Sequence, residues 1–263
     1  LSLLLVDRIC EISAQLSSIR MKIIQKTTLI LFLFIHIIYA KEPPDNWQSY
    51  WVQSGKDIIM DPSSQWLLGS AAIVALGVTK IDMDVKDFVQ SNKILSDPIS
   101  HFGDEIGGNW GHWLLWSSIY LNSKVKNDTK TNLISKMQFS TFAMLTNGII
   151  TVGMKRAFGR ERPNGSCCQS FPSGHTSHSY TIAAIAHELY GDTVGAVVYG
   201  LATLVAASRM NDNKHYLSDV IFGAALGTAV GQSFAKNYHK FENSNLQIGL
   251  ASQMRFKISI PIY

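Results

Sequence analysis

Five stretches of this chain run for 16 to 18 residues without a charge, at 63–79, 106–123, 138–154, 193–208 and 220–235, and nothing else in the sequence constrains the fold as much. Their character is helical. Each falls short of the roughly 20 apolar residues of a full membrane span. Gly, Ala, Ser and Thr are frequent in them, which suits close approach of one helix to another. Trp113 and Trp116, three apart, share a helical face. The expected fold is all-α, a helical bundle. Charged residues make up 16% of the chain, against about 25% in typical soluble proteins. Yet a mean hydropathy of +0.09 is low for a chain that crosses a bilayer many times. Composition therefore leaves both a water-facing and a lipid-facing exterior open.

A length of 263 residues favours one domain. That domain is expected over 63–240, after a polar and aromatic lead-in at 41–62 and before a tail at 241–263. The tail alternates with period two from Leu246 to Leu250 and again from Phe256 to Tyr263, a strand signal that suggests a short C-terminal β-hairpin. Residues 21–40 read as an export signal. Met21, Lys22 and Lys26 open it, an apolar run follows at 29–39, and Ala40 precedes the polar Lys41-Glu42-Pro43-Pro44. Residues 1–20 read as an upstream segment outside the folded protein. The expected location is exported, either periplasmic or associated with the outer face of a membrane. A net charge of +4 is spread without any Lys/Arg run, so nucleic acid is not an expected partner. Cys10, Cys167 and Cys168 have no zinc spacing, and the adjacent pair reads as two buried thiols. An exported location would permit their oxidation.

Three short motifs carry chemistry. In Lys155-Arg156-Ala157-Phe158-Gly159-Arg160-Glu161-Arg162-Pro163, Lys155 and Arg162 are seven apart and would share one face of a helix that Pro163 stops. Arg162 offers a planar fork of donors to phosphate oxygens, and Lys155 a point charge. In Phe171-Pro172-Ser173-Gly174-His175-Thr176, a tight turn precedes a helix start. Backbone N–H groups there bind anions, Ser173 caps or donates, and Gly174 permits close approach. In Ser208-Arg209-Met210-Asn211-Asp212-Asn213-Lys214-His215-Tyr216-Leu217-Ser218-Asp219, a helix beginning near His215 would put Asp219 on the same face at i+4. Asp219 could then hold Nδ1 of His215 and leave Nε2 free to attack. Taken singly, each motif also fits a capped helix end or an ordinary i,i+4 contact.

In this order and with these gaps, Lys-x6-Arg-Pro, Pro-Ser-Gly-His and Ser-Arg-x5-His-x3-Asp form the signature of the type-2 phosphatidic acid phosphatase family. The chain resembles that family over residues 155–219. Lys155, Arg162, Pro163, Pro172, Ser173, Gly174, His175, Ser208, Arg209, His215 and Asp219 fill every signature position. The resemblance extends to the helices from about 63 to 236, since the family core is α-helical. Bacterial acid phosphatases and vanadium haloperoxidases are its relatives.

The resemblance implies metal-independent hydrolysis of phosphomonoesters or pyrophosphates through a phosphohistidine, with no cofactor. His215 would attack phosphorus, and Asp219 would orient it. His175 would protonate the leaving oxygen and then activate water. Lys155, Arg162 and Arg209, with Ser173 and the Gly174 N–H, would hold the phosphoryl oxygens. Such positioned cations and donors are what a phosphoryl transition state needs. His215 must start neutral and His175 protonated, so their environments should push them apart and give a bell-shaped pH profile.

The substrate expected is a phosphorylated lipid or a small phosphoester. Apolar helices and many tryptophans favour the lipid, with membrane contact. The oligomeric state is not encoded in any motif. Rival readings are a soluble exported acid phosphatase, a vanadate-dependent haloperoxidase and a non-catalytic phospholipid-binding protein. The intact His215–Asp219 pair argues against the last. Asp82-Met83-Asp84 resembles the start of haloacid-dehalogenase phosphatases but reads better as a charged turn. His178 reads as packing, and His101, His112, His187 and His239 have no evident partner.

Overall fold

The computed structural model describes the backbone of residues 47–254 apart from Cys167, with side chains over 47–238. The signal-like segment at 21–40 and the residues before it lie outside this range. All regular structure among the described residues is helical. The order is α1 (Trp47–Met60), α2 (Pro62–Val78), α3 (Asp82–Asn92), α4 (Asp97–Glu105), a π-helical turn (Ile106–Trp110), α5 (Gly111–Val125), α6 (Lys130–Phe158), α7 (Gly174–Tyr190), α8 (Asp192–Asn211) and α9 (Leu217–Met254).

The five uncharged stretches all become helix, which confirms the all-α expectation. Local chemistry sets their ends. Asp61 accepts a hydrogen bond from the Ser63 N–H and Pro62 takes the first turn of α2, where its missing N–H has no partner to lose. Helix α6 ends in a left-handed cap at Gly159 (φ 55°), whose N–H donates to the Lys155 carbonyl.

The molecule is organised around α7, which packs on α8 and α9. Gly223, Gly227 and Gly231 recur every four residues along α9 and form one face. A Cβ at Gly223 would lie 2.9 Å from the Ser173 carbonyl oxygen. One at Gly227 would overlap the Ser177 carbonyl, and one at Gly231 would sit 2.5 Å from Ala184 Cβ. The two backbones therefore touch along this stripe. Because α7 starts at the second motif and α9 at the third, the contact brings those motifs side by side. On the other flank, α1 buries Trp47, Tyr50 and Ile58, and Tyr50 donates to the Phe234 carbonyl at 2.8 Å.

Several expectations are revised. Residues 246–250 lie within α9, not in a strand, and the other half of the anticipated hairpin, 256–263, is outside the described residues. Continuous i to i−4 bonding from the Gly-stripe region outlasts the local alternation. The connection between α5 and α6 is short, since α5 runs to Val125 and α6 begins at Lys130 with Thr129 as its cap. Cys168 is not a buried thiol: it is disulfide-bonded and exposed, with φ at 116°.

Candidate active site

The first motif does not lie on one helix. Lys155 lies in the last turn of α6, but the chain leaves helical geometry at Gly159, four residues before Pro163. Arg162 sits on the loop that follows, in a turn where Gly165 N–H donates to its carbonyl at 2.9 Å and its own N–H donates to Ser166 at 3.2 Å. The loop folds back, so that Lys155 donates to the Gln169 carbonyl and Ser170 N–H to the Arg160 carbonyl at 2.9 Å. Burial, with Arg162 adding repulsion, pushes the Lys155 ammonium down to about 8.

The second motif starts α7 as expected. Ser173 occupies the cap position with an extended backbone, but its wholly buried hydroxyl pairs with Thr176 Oγ1 at 2.9 Å and does not cap. Its N–H donates to the Asp219 carbonyl at 3.0 Å, tying the second motif to the third. Gly174 is the first helical residue, and a Cβ there would lie 3.6 Å from Lys155 Cε. His175 follows with 37% of its side chain exposed. Its Nε2 lies 3.1 Å from Asp104 Oδ1, and the same carboxylate oxygen lies 2.5 Å from Nη1 of Arg209. Glycine in the π-helical turn is what admits the ring: a Cβ at Gly108 would stand 2.5 Å from His175 Nε2. Such turns are rare and cluster at functional sites.

In the third motif, His215 precedes α9 and Asp219 stands in its first turn. Asp219 is fully buried. Its Oδ2 accepts from Ser170 Oγ at 2.5 Å and the Tyr216 N–H at 2.9 Å. Nδ1 of His215 is 3.6 Å from that oxygen, longer than a hydrogen bond, and it has no hydrogen-bond partner among the described residues. Catalytic contacts are often this long before substrate binds. Burial pushes His215 down to about 4, with Asp219 opposing and Lys155 and Arg162 reinforcing. For Asp219 itself, burial favours the acid form. The nearby His215 ring, hydrogen bonds from Ser170 and the Tyr216 N–H, and the Arg160 charge outweigh it and hold the carboxyl below its ordinary range. Arg209 is 4% exposed and bound by Asp104 and Asp212.

Three participants were not legible in the motifs. Asp104 bridges His175 and Arg209. Arg160, an unassigned position within Lys-x6-Arg, donates through Nη1 to Asp219 Oδ1 and through Nη2 to Asp82 Oδ2, both at 2.7 Å. Asp82 is no charged surface turn: it is 2% exposed. Only the juxtaposition of a cationic loop with a carboxylate 78 residues away explains it, and no local spacing encodes that. His187, without an evident partner in the sequence, meets Asp192 at 2.9 Å. His178 packs near His112, and burial pushes it down to about 3. No cluster of three metal-ligating side chains occurs among the described residues.

Residues 139–242 match the model of the PAP2 superfamily. The chain is similar to the PAP2 superfamily over that segment. Among curated relatives, the lipid A 1-phosphatase of Porphyromonas gingivalis is 38% identical over 91 residues, which is 34% of this chain and 20% of that protein. Lipid phosphate phosphatase 1 of Arabidopsis thaliana is 32% identical over an alignment of 146 residues, covering 38% and 45% of the two. The chain thus spans less than half the length of either. The crystal structure of Aquifex aeolicus LpxE overlays on 59% of this chain and 94% of its own, with a TM-score of 0.48 and 19% identity. The PAP2 segment begins inside α6 and contains every residue of the three motifs. Asp82 and Asp104 come from outside it.

Proposed function

We propose that the chain is a phosphoric ester hydrolase acting on phosphorylated lipids through a phosphohistidine. The observation that carries this reading is the convergence at one place of His215, backed by Asp219, with His175 and the cations Lys155, Arg162 and Arg209. Burial keeps His215 neutral, as a nitrogen nucleophile must be. Nε2 of His215 forms a bond to phosphorus while the bond from phosphorus to the ester oxygen breaks, and His175 gives that oxygen a proton. Water then attacks phosphorus, His175 takes its proton, and the N–P bond breaks to release inorganic phosphate and restore His215. The cations and the α7 N-terminus stabilise the equatorial oxygens in both steps.

A lipid substrate is supported by the relatives' activities and by an apolar cavity of about 390 Å³ between α5, α7 and α8. Ser179, Ile182 and Ala186 line it from α7, and His175 is the next residue on that same helical face, one turn earlier. Ile106 and Leu115 close it from the π turn and α5. A phosphate held at His175 would thus have an apolar cavity one helical turn away. Association with the outer face of a membrane, after export, accords with this. Helix α8 and the α2–α3 pair, bent by 75°, have the length and apolarity of membrane segments, and α2 leaves Trp66, Ile73 and Leu76 exposed.

The deciding experiment assays purified protein against a panel of lipid and soluble phosphoesters, with His215→Ala as control. Release of phosphate from lipid substrates, lost in His215→Ala while vanadate still binds, is the expected result. Turnover retained by His215→Ala would remove the nucleophile assignment, and preference for short soluble esters would remove the lipid.

A further inference from the structure

Asp219 faces His215 with one oxygen, and the other is held from behind. Nη1 of Arg160 donates to Asp219 Oδ1 and to Ser218 Oγ, each at 2.7 Å. Nη2 donates to Asp82 Oδ2 at 2.7 Å. The guanidinium carbon lies 4.3 Å from the centre of the Tyr216 ring, next to His215 in the chain. Asp82, at the start of α3, accepts the Ser218 N–H at 3.0 Å and Ser218 Oγ at 2.5 Å. It thus caps the first turn of α9 from 136 residues away, satisfying an amide that the helix itself cannot.

We propose that Arg160 and Asp82 are positioning residues that fix Asp219 against His215 and set how much of its charge His215 feels. The inference rests on the phosphohistidine reading above. One guanidinium lies between two buried carboxylates, and a buried carboxylate left unpaired is strongly unfavourable. The arrangement therefore holds together only as a unit. Its geometry also assigns the oxygens: Oδ1 of Asp219 is taken by Arg160, while Ser170 and the Tyr216 N–H steer Oδ2 towards Nδ1 of His215. Charge follows the same division. Arg160 offsets one negative charge behind His215, and Asp82 offsets part of Arg160.

The groups that face His215 are Asp219 from α9, Lys155 from α6, Arg162 from the loop, and Asp82 and Lys86, which share a small crevice with it from α3. Against this set, the two positioning residues have opposite signs. Arg160→Gln removes a positive charge and should let His215 accept a proton more readily. Asp82→Asn removes a negative charge and should do the reverse.

The test is titration of the His215 ring by nitrogen-15 NMR in histidine-labelled full-length protein, assigned by its loss in His215→Ala, alongside the pH profile of kcat/KM. The expected result is a midpoint raised by about one pH unit in Arg160→Gln and lowered in Asp82→Asn, with the acid limb of activity moving in step. Arg160→Lys keeps the charge without the fork, so its midpoint should stay while kcat falls at least tenfold. A merely structural network would lower the melting temperature and leave every midpoint where it was, and that result overturns the proposal. If Arg160→Gln does not fold, Asp82→Asn and Arg160→Lys decide by the same criteria. Because the NMR midpoint needs no turnover, a protein with the expected shifts but no phosphatase activity would overturn the reaction and not the positioning roles.

Discussion

At the scale of single residues, the site is a set of charges that constrain one another. His215 is held neutral by burial down to about pH 4, and Lys155 keeps its charge only up to about 8. On the proposed mechanism, His215 below the first value gains a proton and cannot attack, and Lys155 above the second loses the charge assigned to the phosphoryl group. The kcat/KM profile should therefore rise through about pH 4 and fall through about pH 8, as a steady-state pH series would show. Asp104 adds a second expectation. Its carboxylate already occupies Arg209 and His175, and hydrogen bonding from His175, against the opposing effect of burial, holds it below the usual carboxylate range. Asp104→Asn should weaken kcat, because His175 loses its anchor. It should also lower the inhibition constant of inorganic phosphate severalfold, because an internal anion no longer competes. The motif residues were legible because particular side chains recur at fixed local spacings, which a sequence displays directly. Asp82, Asp104 and Arg160 were not, since their roles exist only through partners distant in the chain.

At the scale of elements, uncharged runs marked the long helices, while α1, α3 and α4 carry polar and charged residues throughout and left no such mark. The end of α6 was misplaced for a related reason. Proline is a strong stop signal, but the left-handed cap at Gly159 acts first, and only the backbone shows it. The close contact of α7 with α9 was foreshadowed by small residues without any indication of which helix met which. Gly227 is its tightest point. Gly227→Ala must move the Ser177 carbonyl or the helix itself, at a cost of about 1–3 kcal/mol. Thermal denaturation should show a clear fall in Tm. Activity should fall further than stability does, because the same shift separates His175 from His215. Gly200, with nothing near its Cβ direction, is the matched control and should tolerate alanine.

At the scale of the whole molecule, a polar site lies inside a body whose flanks are apolar. Trp66 is 80% exposed, and Ile73 and Leu76 stand on the same helix. Added phospholipid vesicles should shift tryptophan emission to the blue, and the shift should shrink in Trp66→Phe. Unchanged emission with vesicles would count against membrane contact through α2. The glycine stripe has a consequence for chain length. Each residue inserted into a helix turns everything beyond it by about 100°, since a turn holds 3.6 residues. A single insertion in α9 between Asp219 and Gly223 would rotate the stripe away from α7 and part the two histidines. The connection from Lys126 to Thr129 has no such register to keep. Descendants of this chain can lengthen or shorten there, whereas the stretch from His215 to Gly231 can change its letters only at fixed length.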